Sequence, residues 1–174
     1  MRSHYNVPQQ PLGSGADGLA PLGNCRWFRT DGDTMQKVIF ACVHNAGRSQ
    51  MSAAFFNQFA DPKRALAISA GTQPAEHVHP VVVEAMLEVG IDLRNAKPQK
   101  LTPELARDAE MLITMGCGDD CPYVPGLRRD DWPLPDPKDQ KIDSVRQTRE
   151  EIRGRVLGLL SRERFGRDAS QKRL

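Results

Sequence analysis

A cysteine and an arginine close the two ends of a short loop in Cys42-Val43-His44-Asn45-Ala46-Gly47-Arg48. The residues between them can curl so that successive backbone N–H groups face inward, which makes a nest for an anion. A helix that begins at Arg48 adds unpaired N–H groups and the positive end of its dipole. The guanidinium of Arg48 supplies a planar fork of donors that matches two oxygens of a tetrahedral oxyanion. The same field stabilises a thiolate at Cys42, and a thiolate facing a bound oxyanion is a nucleophile set against its central atom. Ser49 can donate a hydrogen bond to that sulfur, and Asn45 can hold the loop through its side-chain amide. The alternative is a buried strand-end thiol with Arg48 on a helix surface. The apolar run before Cys42, the glycine inside the loop and the serine after Arg48 weigh against it.

Two more thiols, Cys117 and Cys121, stand close together in TMGCGDDCP. In the reducing, cytoplasmic compartment expected for this chain, four cysteines are weighed as redox, catalytic or metal-binding groups rather than structural staples. Gly116 and Gly118 flank Cys117 and supply a hinge. The plainer reading makes Cys117 and Cys121 small buried residues. Zinc would need more ligands than this pair; His77 and His79 fit a polar turn before Pro80 better, and no metal site is expected. Cys25 lies in a Pro/Gly-rich stretch and reads as an incidental thiol. Asp136, just before Pro137, reads on its own as a turn-forming residue.

The elements that must position these groups follow from patterning. Residues 1–34 show no helical or strand periodicity and read as a flexible extension ahead of Met35. KVIFACV is a continuous apolar run with β-branched residues, the pattern of a strand buried on both faces. Arg48 to Ala60 reads as a helix with Met51, Ala54, Phe55 and Phe59 on one stripe, ended by Asp61-Pro62. ALAISAG is a second strand, and HPVVVEAMLEVG a helix with Pro80 in its first turn and Gly90 past its end. Thr102-Pro103 caps a short helix through Arg107, and EMLITMG is a third strand. A Pro-rich loop runs from Cys117 to Lys141, with a short fourth strand near Leu127. Ile142, Val145, Ile152, Val156, Leu159 and Leu160 then recur at helical spacing. A polar, basic tail, 166–174, follows a domain spanning 35–165. This order predicts an α/β fold with an open, doubly wound parallel sheet, whose ligands bind beyond the C-terminal strand ends. The Cys42 loop falls there.

The formal net charge is +2, from 24 basic and 22 acidic side chains. No single-sign block suits nucleic acid, and no apolar stretch approaches the roughly 18 residues of a membrane span. A cytoplasmic protein with no nucleic-acid or membrane partner is expected, and a monomer.

Together, VIFACVHNAGRSQM, SAGT, GID and DWPLPDP resemble the low-molecular-weight tyrosine phosphatase superfamily, and within it the arsenate reductases. The resemblance runs from about Met35 to Leu160. It implies a single domain with a four-stranded parallel sheet flanked by helices, Cys42 as nucleophile, residues 43–48 as the oxyanion site, and Asp136 as general acid. Phosphatases of the superfamily typically carry an aromatic residue after the Asp-Pro pair; Lys138 stands here, which argues against an aryl phosphate substrate. The resemblance further implies a relay in which Cys117 attacks Cys42, Cys121 attacks Cys117, and the resulting disulfide is reduced by thioredoxin. The commoner thioredoxin-linked members hold these two cysteines further apart. Many also carry a potassium-binding glutamate where this chain has Ala53, so no firm potassium dependence is expected.

Three functions stay open on the sequence. The first is arsenate reduction to arsenite, with no bound cofactor and with electrons from thioredoxin, or from mycothiol or glutathione with a glutaredoxin-like protein. The second is a tyrosine phosphatase. The third is a non-catalytic oxyanion or arsenite-binding protein.

Overall fold

Strand β1, Gln36–Cys42, is buried from Val38 through Cys42 and forms the spine of the molecule. In the computed structural model, which describes residues 35–116, 121 and 125–167, it pairs in parallel with β2, Ala65–Gly71, on one side and β3, Met111–Thr114, on the other. Strand β4, Arg128–Asp131, extends the sheet beyond β3, giving the order β2-β1-β3-β4. The chain leaves β1 toward one neighbour and later returns to the other, so the C-terminal end of β1 is the point where the winding reverses and a crevice opens. Cys42 occupies that end. The described residues lie within one compact unit, Gly32–Leu174; the N-terminal extension expected over 1–34 and most of the basic tail lie outside the described residues.

Alternation along β1 divides the core in two. Val38, Phe40 and Cys42 face a large cluster built with α1, Arg48–Phe59, α2, Pro80–Leu87, and α4, Ile142–Arg162. Ile39 and Ala41 face a smaller cluster under α3, Pro103–Arg107, with Leu101, Ala106, Leu112 and Cys121. Thr102 caps α3 by accepting from the Leu105 N–H, and Gly90 takes a positive φ just past α2, both as the sequence predicts. Arg149 ties α4 to α2, donating to the Ala85 carbonyl at 2.6 Å and pairing with Glu88 at 2.9 Å.

One element differs from its sequence pattern. The stripe expected on α1 is replaced by burial nearly all round its first two turns, with Phe56 fully buried and Phe59 half-exposed. The helix starts beneath the loop at the centre of the crevice, where every side has a neighbour. The short fourth strand expected near Leu127 is present as β4, although its sequence, RRDD, carries no apolar residue. Its backbone pairs with β3, Asp131 accepts from Thr114 Oγ1, and Arg128 pairs with Glu163. Trp132 follows directly, buried against Phe40 with ring centroids 5.6 Å apart. That anchor fixes where the loop carrying Asp136 begins.

Candidate active site

Loop 43–47 is shaped from outside. The carbonyl oxygens of Cys42, Val43, His44 and Ala46 accept from the N–H groups of Thr72, Gln73, Ala75 and His79 respectively. In a planar trans peptide the N–H of the next residue points opposite to the carbonyl. The N–H groups of Val43, His44, Asn45 and Gly47 are thereby aimed toward the loop interior, where an anion would sit. Gly71 permits the close approach: a Cβ there would stand 2.6 Å from the Val43 carbonyl oxygen. Gly47 does the same for the facing loop, since its Cβ would meet Pro137 Cγ at 2.5 Å.

Cys42 is buried and free, its sulfur 3.1 Å from Ser49 Oγ. Asn45 adopts φ +50, a left-handed conformation that asparagine tolerates better than most residues. From there its amide Nδ2 donates to Ser49 Oγ at 2.8 Å. Ser49 thus lies within hydrogen-bonding distance of Cys42, with either atom able to donate, and Asn45 bonds to Ser49 from within the loop.

Arg48 is 6% exposed. Its Nη2 pairs with Asp136 Oδ2 at 2.7 Å and its Nη1 donates to the Leu134 carbonyl at 3.1 Å. The Nε–H is buried without a partner among the described residues. A buried guanidinium N–H left unpaired is costly unless a ligand completes it. Charge, inward N–H groups and this open donor all suit a tetrahedral oxyanion. Asp136 keeps its side chain 42% exposed, so solvent reaches it, and its Oδ1 accepts from the Lys138 N–H at 3.0 Å.

Comparison with known proteins adds the lineage. The low molecular weight phosphotyrosine protein phosphatase model matches residues 37–171. The chain belongs to that family. A Halobacterium salinarum protein assigned as an arsenate reductase is 38% identical over 132 residues, 73% of this chain and 92% of that relative. The glutaredoxin arsenate reductase of a Synechocystis strain is 31% identical, covering 74% of this chain and 98% of its own. Among solved structures, the thioredoxin-dependent arsenate reductase of Corynebacterium glutamicum superposes with a TM-score of 0.65 at 39% identity over 75% of this chain. The chain spans 62% of the length of that Corynebacterium protein. The four-stranded parallel sheet and single α/β domain expected from the sequence are those of the family.

Cys121 is placed less simply than Cys42. It is buried on the Ile39 and Ala41 side of the sheet, the face opposite Cys42, and is disulfide-bonded. Cys42 is free, so the partner of Cys121 lies outside the described residues, as do Cys117 and Cys25. No cluster of three or more His, Cys, Asp or Glu side chains suited to a metal occurs among the described residues. No helix among them is long and apolar enough to cross a membrane.

Several site features carry no sequence signal: the Leu134 carbonyl on Arg48, Gln50 and Gln99 on Asn45, and the approach of His79 to Gly47. Burial lowers the pKa of His79 from its ordinary 6.5, with Asp136 opposing and His44 assisting. The unfolded chain then binds more protons than the native one just below pH 6.5, so stability rises with pH there and falls on acidification. His79→Gln is expected to flatten that part of the curve, as read from urea midpoints on either side of pH 6.5.

Proposed function

We propose that this protein reduces arsenate to arsenite, with Cys42 as the nucleophile and a second cysteine completing the electron transfer. The loop N–H groups and Arg48 bind arsenate. The Cys42 thiolate, steadied by the Ser49 hydroxyl, attacks arsenic(V), and Asp136 protonates the departing oxygen as water. A second thiolate then attacks the Cys42 sulfur. The new S–S bond forms as the S–As bond breaks, its electron pair stays on arsenic, and arsenite leaves. Two thiols have been oxidised and one arsenic reduced by two electrons. Cys117 is the proposed attacker, and Cys121 then attacks Cys117, freeing Cys42 and leaving a Cys117–Cys121 disulfide for an external dithiol.

One observation carries the choice of reductase over phosphatase: Cys121 is disulfide-bonded while Cys42 remains free beside Ser49. A phosphatase has no use for that disulfide. The names of the Halobacterium, Synechocystis and Corynebacterium relatives support the same reading. Thioredoxin is the proposed reductant in a cytoplasmic, monomeric enzyme, with a glutaredoxin-type donor as the competing source of electrons.

The test is arsenate-dependent NADPH oxidation with thioredoxin and thioredoxin reductase. Steady turnover is expected from the native chain, and collapse to background from Cys121→Ser. Turnover that appears only with glutathione or mycothiol assigns the electrons to a small-thiol donor, and thioredoxin-driven turnover that survives in Cys121→Ser removes Cys121 from the relay.

A further inference from the structure

Gln99 is an exposed residue, yet it hydrogen-bonds inward, to β2 and to the loop after Cys42. Its side-chain Nε2 donates to the Ser69 carbonyl on β2 at 2.9 Å, its carbonyl accepts from the Gly71 N–H at 2.9 Å, and its own N–H donates to Asn45 Oδ1 at 2.9 Å. Gln50 Nε2 donates to the same Asn45 oxygen at 3.2 Å. Asn45, Ser49 and Gln50 are all buried.

Two donors on Oδ1 leave only one sensible orientation of the Asn45 amide. Nδ2 must face Ser49 Oγ, and a hydroxyl that accepts there has its single hydrogen free for another acceptor. The atom 3.1 Å away is Cys42 Sγ, which as a thiolate can only accept. Every donor in the series thus points toward the sulfur.

We infer that Gln99 is a positioning residue: by clamping to the edge of β2, it holds its backbone N–H on Asn45 and so fixes the direction of the hydrogen bonds that end on Cys42. This rests on reading Cys42 as a nucleophilic thiolate. The clamp is a side-chain bond while the working donor is a backbone group, so loss of the side chain acts on Cys42 at a distance. Arg48, Asp136, His44, His79, Lys138 and Asp139, the charged and titratable groups around the loop, are untouched by it.

The experiment uses the fully reduced full-length chain and iodoacetamide, scored on the tryptic peptide that contains Cys42. Gln99→Met keeps the length and removes the donor at an exposed position. Alkylation near neutral pH is expected to slow by roughly 3- to 10-fold, the worth of about one hydrogen bond, with the melting temperature unchanged. In a Ser49→Ala background, Gln99→Met should add no further slowing. An unchanged rate, or equal slowing with and without Ser49, would overturn the inference. Native Cys42 that alkylates no faster than an ordinary thiol would overturn the nucleophile reading itself, and this inference with it.

Discussion

Arg48→Lys is expected to lower kcat/KM for arsenate by about 10²- to 10³-fold, the usual loss when one preorganised donor to a developing oxyanion is removed. The loss is large because Arg48 serves two partners at once. Its Nη atoms hold the Asp136 carboxylate and the Leu134 carbonyl, while its Nε–H stays open for the anion. A lysine ammonium is a point charge on a flexible stem and cannot span these three positions. Phosphate, an isosteric competitor, should weaken in parallel. Steady-state kinetics with phosphate as inhibitor measures both, and an unchanged inhibition constant would place the anion elsewhere.

The second large effect is expected from Asp136→Asn. Asparagine keeps the size and an acceptor for the Lys138 N–H, but it has no proton to give and no charge for Arg48. Loss of a general acid removes about 10²- to 10⁴-fold. The acid role separates from the ion-pair role by leaving group. With a small phosphate ester used as a surrogate, the loss should shrink as the leaving group improves, because a good leaving group needs less proton transfer. Equal loss for all leaving groups would make Asp136 a positioning residue for Arg48.

The geometry also implies an order of events. Asp136 pairs with Arg48 at 2.7 Å. An oxyanion bound at Arg48 would compete for the same guanidinium, and under the proposed mechanism that competition would free the Asp136 carboxyl to act as the acid. Gly47 lets this happen at close quarters, since Pro137 packs where a Cβ would stand.

Much of this site was legible because its chemistry is local. The apolar run of β1, the Cys42 to Arg48 spacing and Ser49 sit on one continuous stretch, and a strand buried on both faces leading into a helix N-terminus leaves few conformations for the loop between them. The relay to Asn45 was only half legible. Its amide could be assigned a role, but the partner Gln99 lies 54 positions away and is brought in by pairing along the edge of β2. Leu134 reaches Arg48 through a backbone carbonyl, which any residue possesses. Strand β4 was placed to within a residue, near Leu127, but its bounds were not legible because RRDD has no strand-like side chains; backbone pairing and ion pairs hold it. The all-round burial of α1 likewise came from its position under the loop, which a single helix's periodicity does not encode.

The central claim, that the chain's own thiols deliver both electrons to arsenic, is tested most directly by a single turnover. Fully reduced protein, freed of all added thiol, is mixed with excess arsenate, and arsenite is quantified together with the disulfides formed. The account predicts one arsenite per chain, a disulfide between Cys117 and Cys121, and Cys42 recovered as a free thiol. Arsenite that forms only after an external thiol is supplied would contradict it.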